Sequence, residues 1–347
     1  MAPHNVHLVG SVPLQDAATV FGTVATALGD RVRRLPDGET GVRSDWITWL
    51  EPVFAENPAL EPSDEIFRLH ETATPRRRYR LKRGCIIGDI HFDNLFYADV
   101  ARQSYGAFRR LRDAGMIRRG MRFQIDLVPA HSVLWLFVAE ALQAPLDPIY
   151  NAAVAREIEK LAAAIPHADL AIQFDVASAV FARLERNETG VYGASKEAMA
   201  DQFAAILAGL ANRVPTDVEL LFHFCYGDSN HRHVVEPTDM ADMVEMANRL
   251  TRAIARPIQL IHMPVPRSRS DDAYFAPLAD LRLGPETELA LGLVHFTDGL
   301  DGTRRRMATA ARHRKDFAIA TECGFGRRPP ETIPELLRIH AQAAAIP

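Results

Sequence analysis

The stretch "ELLFHFCYGDSNHRH", residues 219–233, holds five potential metal-binding side chains close together: His223, Cys225, Asp228, His231 and His233. The apolar run 220–224 reads as a buried strand. On a strand, residues two apart point to the same side, so His223 and Cys225 share a face. Imidazole plus thiolate is the donor set zinc prefers, at about 2.0–2.3 Å, with an open position when the site is catalytic. H-x-C also fits an ordinary core strand, because a buried cysteine behaves as a small hydrophobe. A third soft ligand, Cys323 in "ECG", favours the metal reading if the fold brings it to the same height.

Reactive side chains also end most of the other short apolar runs. "HLVGS" (7–11) ends in Gly10 and Ser11, and "VRRLPDGE" (32–39) in Asp37, Gly38 and Glu39. "RFQIDLVP" (122–129) leads into His131, and "LAIQFDV" (170–176) carries Asp175. His262 falls in "PIQLIHM" (257–263), His295 in "ELALGLVHF" (288–296), and Glu322 with Cys323 in "FAIATECGF" (317–325). One histidine at a strand end is usually structural. Polar or metal-capable groups at nearly every end describe a single funnel.

These runs, with "ELLFHFCY" (219–226), make eight strand candidates, mostly alternating with segments of 3.6-residue periodicity. That alternation implies a parallel sheet, and eight is the number that closes a (β/α)8 TIM barrel with its chemistry at the C-terminal face. In "DMADMVEMANRLTRAI" (239–254), Met240, Met243, Ala247, Leu250 and Ile254 share one helical face and read as core. No compositional break marks a second domain, so residues 1–347 are expected to form one α/β barrel domain. The stretch 51–120 is long for one β–α connection and is expected to elaborate one barrel end. Its basic run "RRRYRLKR" (76–83) reads as a solvated loop rather than an anion site.

Composition narrows the class. An apolar fraction of 48% with 24% charged residues is ordinary for a globular protein. A formal net charge of -4 gives no general pull toward nucleic acid or anionic membrane. No apolar run approaches the roughly 20 residues that span a bilayer, and the start lacks a secretory pattern. Three cysteines, Cys85, Cys225 and Cys323, are too few for a disulfide scaffold, so a reducing cytoplasm is the expected compartment. Nothing in the sequence sets an oligomeric state.

In its motifs the chain resembles the cobalamin-independent methionine synthase family, specifically the C-terminal catalytic barrel, within the superfamily that includes uroporphyrinogen decarboxylase. The family's "GSFPQT" is similar to the run from Gly10 to Gln15, and its "HGE" to Asp37, Gly38 and Glu39. Its "IDEP" is matched in part by "QFDVASAVF", which keeps Asp175, and its "HMCY" closely by His223, Phe224, Cys225 and Tyr226. "IHSPN" resembles "LVHFTD" with His295, and "DCGLKTR" resembles the run from Glu322 to Arg328. The matches keep their order from residue 7 to about 340. The amino-terminal domain of the full-length family members has no counterpart in this sequence.

The resemblance implies zinc held by His223, Cys225 and Cys323. The family's further glutamate ligand falls here on His262. It also implies that Ser11, Glu39 and Asp175 grip the amino-acid end of a thiol such as homocysteine, and that His295 passes a proton to the leaving group, with Asp175 positioning the reactants. A free thiol has a pKa near 8.5 and attacks an alkyl donor poorly; coordination to zinc deprotonates it while leaving the sulfur nucleophilic. The expected activity is therefore zinc-dependent alkyl, most simply methyl, transfer to or from a thiol. Its partners are a small-molecule thiol and an alkyl donor, a methylated folate among the candidates. Trp135 could stack on a pterin, but as a large aromatic at a helix start it reads first as core. Relatives that open epoxides with a thiol make zinc–thiolate alkylation the firmer part. A metal-free decarboxylase, a thiol-dependent zinc lyase and a non-catalytic zinc or thiol binder remain open alternatives.

Overall fold

A computed structural model of the chain describes residues 4–69, 71, 73–227 and 233–346. Asp228 and His231, two of the potential ligands in the 219–233 stretch, lie outside the described residues. The nine described strands are β1 (Arg34–Pro36), β2 (Leu60–Phe67), β3 (Arg76–Leu81), β4 (Arg122–Leu127) and β5 (Leu170–Val176), then β6 (Glu219–Phe224), β7 (Leu260–Pro264), β8 (Glu288–Val294) and β9 (Ala318–Thr321). Seven of them form one curled parallel sheet in the order β1-β4-β5-β6-β7-β8-β9. Helices run between and outside the strands, the α/β arrangement that covers a parallel sheet.

The sheet has seven strands where the sequence reading expects eight. Residues 7–11 form no strand. Their neighbourhood instead pairs at one point, Val6, which makes isolated parallel bridges to both Val32 and Ile319, beside the two edges of the sheet. The reason is visible in the hydrogen bonds. The carbonyls of Leu8 and Val9, which a strand would offer to a neighbouring backbone, accept from the Gln124 amide at 3.2 Å each. Val9 also accepts from Gln173 at 2.6 Å. Side-chain amides thus take acceptors that a ladder would otherwise use.

Side chains along each strand alternate between the helix layer and the sheet's concave side. One concave layer is apolar and small: Ala171, Leu221, Leu260, Ala290 and Ala318, one each from β5 to β9. Two residues further along three of these strands, the layer becomes polar, with Gln173, His223 and His262, all almost fully buried. His7 joins it and shares a 3.0 Å hydrogen bond with Gln173. Cys225 lies two further on from His223, and its N–H still reaches the Val176 carbonyl at 3.0 Å. The predicted metal strand therefore has its H-x-C pair on the inner side.

The 51–120 stretch supplies a two-stranded antiparallel hairpin of β2 and β3, before the helix Tyr97–Asp113. The basic run, expected as a loop, lies mostly on β3, and three of its six cations are paired: Arg76 meets Asp45 and Glu51, Arg78 meets Glu65, and Arg80 meets Glu61 at 3.0 Å. The methionine-rich segment forms the helix Ala241–Ala253, with Met243, Ala247 and Leu250 buried. Among the described residues no helix is long and apolar enough to cross a membrane.

Candidate metal and substrate site

The C-terminal ends of the strands surround a cavity of about 370 Å³. Ser11, Glu39, Asp175, His223, Cys225 and Cys323 all line it. Two residues proposed for the same site, His262 and His295, do not line it. They stand behind the wall, 0% and 2% exposed respectively.

At the floor, one donor atom each from His223, Cys225 and Cys323 lies within 4.8 Å of the others. The two sulfurs are 3.7 Å apart, and Cys323 Sγ is 3.8 Å from His223 Nε2. Four ligands placed tetrahedrally at zinc–sulfur and zinc–nitrogen distances of about 2.3 and 2.0–2.1 Å have edges of roughly 3.5–3.8 Å. The two separations that involve Cys323 match such an edge, and the donor chemistry fits zinc. Gly227 shapes this corner: its N–H donates to Cys225 Sγ at 3.2 Å. Its φ is 86°, and a Cβ there would come within 2.7 Å of Val234. Only glycine meets both demands without strain.

Behind His223 stands His262. The two Nδ1 atoms are 2.7 Å apart, and His262 Nε2 lies 2.9 Å from the Thr321 carbonyl. Both nitrogens of His262 are therefore engaged away from the sulfurs, and the fourth-ligand position expected of it is not where the side chain sits. Burial is the main reason both rings stay neutral. It holds His262 down at about 3, and His223, with further help from His262 and His7, well below the ordinary histidine value.

Beside this cluster the lining is acidic, Asp175 on β5 pairing in register with His223 on β6. Asp175 accepts from Gln173 at 3.0 Å and from the Trp46 indole, yet burial outweighs these bonds and raises its pKa to about 7. Glu39 is raised to about 8, chiefly by burial and then by Asp175, with Arg43 and Arg327 opposing. A third carboxylate, Asp126, is raised well above its usual range by burial, Asp175 and Glu39. It lies directly under Gly10, where a Cβ would stand 2.2 Å from its Oδ2. Asp37, grouped with Glu39 by the sequence motif, is structural. It pairs with Arg43, accepts from Ser104 at 2.9 Å and caps the Glu39 N–H at 3.0 Å.

Ser11 accepts from the Gly326 N–H at 3.2 Å and its carbonyl accepts from Phe325 at 2.7 Å. These bonds lock the loop that carries Cys323 and Arg327 onto the cavity rim. His295 Nε2 donates to the Val265 carbonyl at 2.9 Å, and its Nδ1 faces Glu322 at 3.4 Å. Glu322 also binds His233 at 3.0 Å, and the two histidines hold its carboxyl well below the usual range despite its burial. His131 lies off the cavity, buried against Phe203. Trp135 does line the cavity, edge-on to Phe67 with ring centres 4.9 Å apart.

Sequence reading missed Asp126, Trp46 and the two glutamines that orient the carboxylates. A signal existed: "FQID" on β4 and "IQFD" on β5 both contain Gln-x-Asp, and each glutamine donates to its own aspartate at 3.0 Å.

No protein-family model matches the chain, and no curated protein does. Solved structures do. A protein from Listeria monocytogenes, provisionally assigned as a vitamin-B12-independent methionine synthase, aligns with a TM-score of 0.58 at 14% identity, covering 99% of this chain and 98% of that one. A B12-independent methionine synthase from Shewanella sp. W3-18-1, solved with selenomethionine, aligns at 0.66 and 13% identity, covering 99% and 97%. A methyltransferase from Methanosarcina mazei gives 0.54 at 12% identity, covering 99% and 94%. Over nearly its whole length, the chain has the fold of the B12-independent methionine synthase-like proteins.

Proposed function

We propose that the protein is a zinc-dependent transferase that moves a small alkyl group, most simply methyl, to or from a thiol. The observation that carries this reading is the convergence of His223, Cys225 and Cys323, one donor atom each within 4.8 Å of the others, in a cavity that Glu39 and Asp175 also line. Likeness to structures described as methionine synthases and a methyltransferase supports it. In this reading Val6 and its flanking residues complete an eight-stave barrel, and the chain acts as one catalytic unit.

His223, Cys225 and Cys323 would hold the ion and leave a position open toward the cavity. Bound zinc would supply a single piece of chemistry, keeping a substrate thiol deprotonated at neutral pH. The chain's own groups do the rest. Glu39 and Asp175 face the cavity and suit an ammonium group, which would replace the protons they retain when buried together. Ser11 and the adjoining backbone orient the carboxylate end of an amino-acid thiol such as homocysteine. His295 stands behind the cavity wall and faces Glu322, the neighbour of Cys323, at 3.4 Å, so in this reading it would hold and return a proton as the donor departs by way of Glu322. Trp135, Phe67 and Trp46 give the outer cavity an aromatic wall for the body of the alkyl donor, a methylated folate being one candidate. A metal-free decarboxylase would leave the two cysteines and His223 without a task.

The test is X-ray absorption at the zinc edge, before and after adding homocysteine and, separately, a simple alkyl thiol. One additional sulfur neighbour is expected. If no thiol enters the coordination shell of the zinc-loaded protein, the transferase reading fails.

A further inference from the structure

The role of His262 follows from proton counting along a chain of three hydrogen bonds. The Thr321 carbonyl can only accept, so the His262 nitrogen facing it, Nε2, carries a hydrogen. A neutral His262 then has a bare Nδ1, which must accept across the 2.7 Å contact, so His223 Nδ1 carries the hydrogen there. A neutral His223 protonated on Nδ1 is bare on Nε2. That nitrogen is the one 3.8 Å from Cys323 Sγ. The alternative, a doubly protonated His262, would bury a cation with a carbonyl and an imidazole as its partners, at 0% exposure. Such burial of an unpaired charge is strongly disfavoured.

We propose that His262 is a positioning residue rather than a fourth metal ligand. It fixes His223 in the tautomer that turns a bare Nε2 toward Cys323, and it ties this histidine to the end of the strand that leads into Cys323. The inference rests on reading His223, Cys225 and Cys323 as the ligand set. Thr321 is two residues before Cys323, so one imidazole links a ligand on β6 to a ligand just past β9. Both of its nitrogens are used in doing so, and no lone pair remains for the ion. The protein then contributes three ligands, and the fourth position is left to substrate sulfur. Partners of this kind orient a ligating histidine and raise its basicity, and their loss typically weakens metal binding 10–100-fold.

The experiment has two arms. In the first, nitrogen NMR of the metal-free protein, with labelled histidine, reads the tautomers directly. The expected result is hydrogen on Nδ1 of His223 and on Nε2 of His262, and the opposite pair overturns the proposal. In the second, zinc affinity is measured by chelator competition for wild type, His262→Gln and His262→Leu, with X-ray absorption on the loaded proteins. Wild type should show two sulfurs and one imidazole. His262→Leu should bind zinc 10–100-fold more weakly, and His262→Gln, whose amide can both donate and accept, should recover part of that loss. Two imidazoles in wild type, or a leucine variant that binds as tightly as wild type, would overturn the assignment. If His262→Leu does not fold, the glutamine variant and the wild-type spectra decide. Should wild type take up no zinc, the ligand reading itself fails, while the tautomer measurement still decides whether His262 orients His223.

Discussion

Glu39→Gln should make the empty protein more stable at alkaline pH while making it a poorer binder of amino-acid thiols. Glu39, half-buried, lies beside the buried Asp126 and Asp175, and all three have raised pKa values. A raised carboxylate binds more protons folded than unfolded, so stability falls as pH climbs from the unfolded value to the folded one. For Glu39 that window runs from 4.5 to about 8. At about 1.4 kcal/mol per unit, the displacement sets a ceiling of roughly 5 kcal/mol above the window. Much of this is mutual repulsion that Asp126 and Asp175 retain in part, and the neutral amide gives up its attraction to Arg43. A gain of about 1–2 kcal/mol at pH 9, shrinking toward zero below pH 5, is therefore expected on the usual scale for single substitutions. Urea unfolding of both proteins across pH 5–9 measures it. Homocysteine binding, measured in the same buffers, should weaken by about 1.5–3 kcal/mol, the scale of one charged hydrogen bond. A thiol without an ammonium group should bind equally well to both. If the variant and wild type lose stability in parallel from pH 5 to 9, Glu39 is not a proton-holding member of the cluster and the ammonium assignment loses its basis.

Cys225→Ser and Cys323→Ser replace soft thiolates by poor ligands; each should sharply reduce bound zinc and the pair should abolish it, whereas Cys85→Ser, which lies outside the cluster, should leave the stoichiometry unchanged in elemental analysis. His295→Asn should lower turnover roughly 100-fold or more, the usual scale for loss of a general acid, with thiol affinity nearly unchanged in a kcat and Kd comparison; a loss confined to affinity would remove His295 from the proton path. Gly10→Ala should push Asp126 aside, since the added carbon would stand 2.2 Å from its carboxylate oxygen, and should cost about 1–3 kcal/mol in urea unfolding.

What the sequence made legible divides along a physical line. Strand ends can be read because an apolar run that stops at a histidine, cysteine or carboxylate reports both the element and its exposed tip. Ser11, Glu39, Asp175, His223, Cys225 and Cys323 each had that form, and all six line one cavity. Residues 7–11 also had it and still make no strand, because what undid that reading lies more than a hundred residues away. Gln124 and Gln173 claim the Leu8 and Val9 carbonyls, and no local pattern announces a long-range side-chain acceptor competition. His262 shows the same limit. Its place on a strand fits a ligand as well as it fits a support. The choice between them depends on the Thr321 carbonyl, 59 residues along the chain. Side chains that touch a ligand announce themselves by type. Those that hold the first group in place are ordinary polar residues, legible only once the hydrogen bonds can be counted.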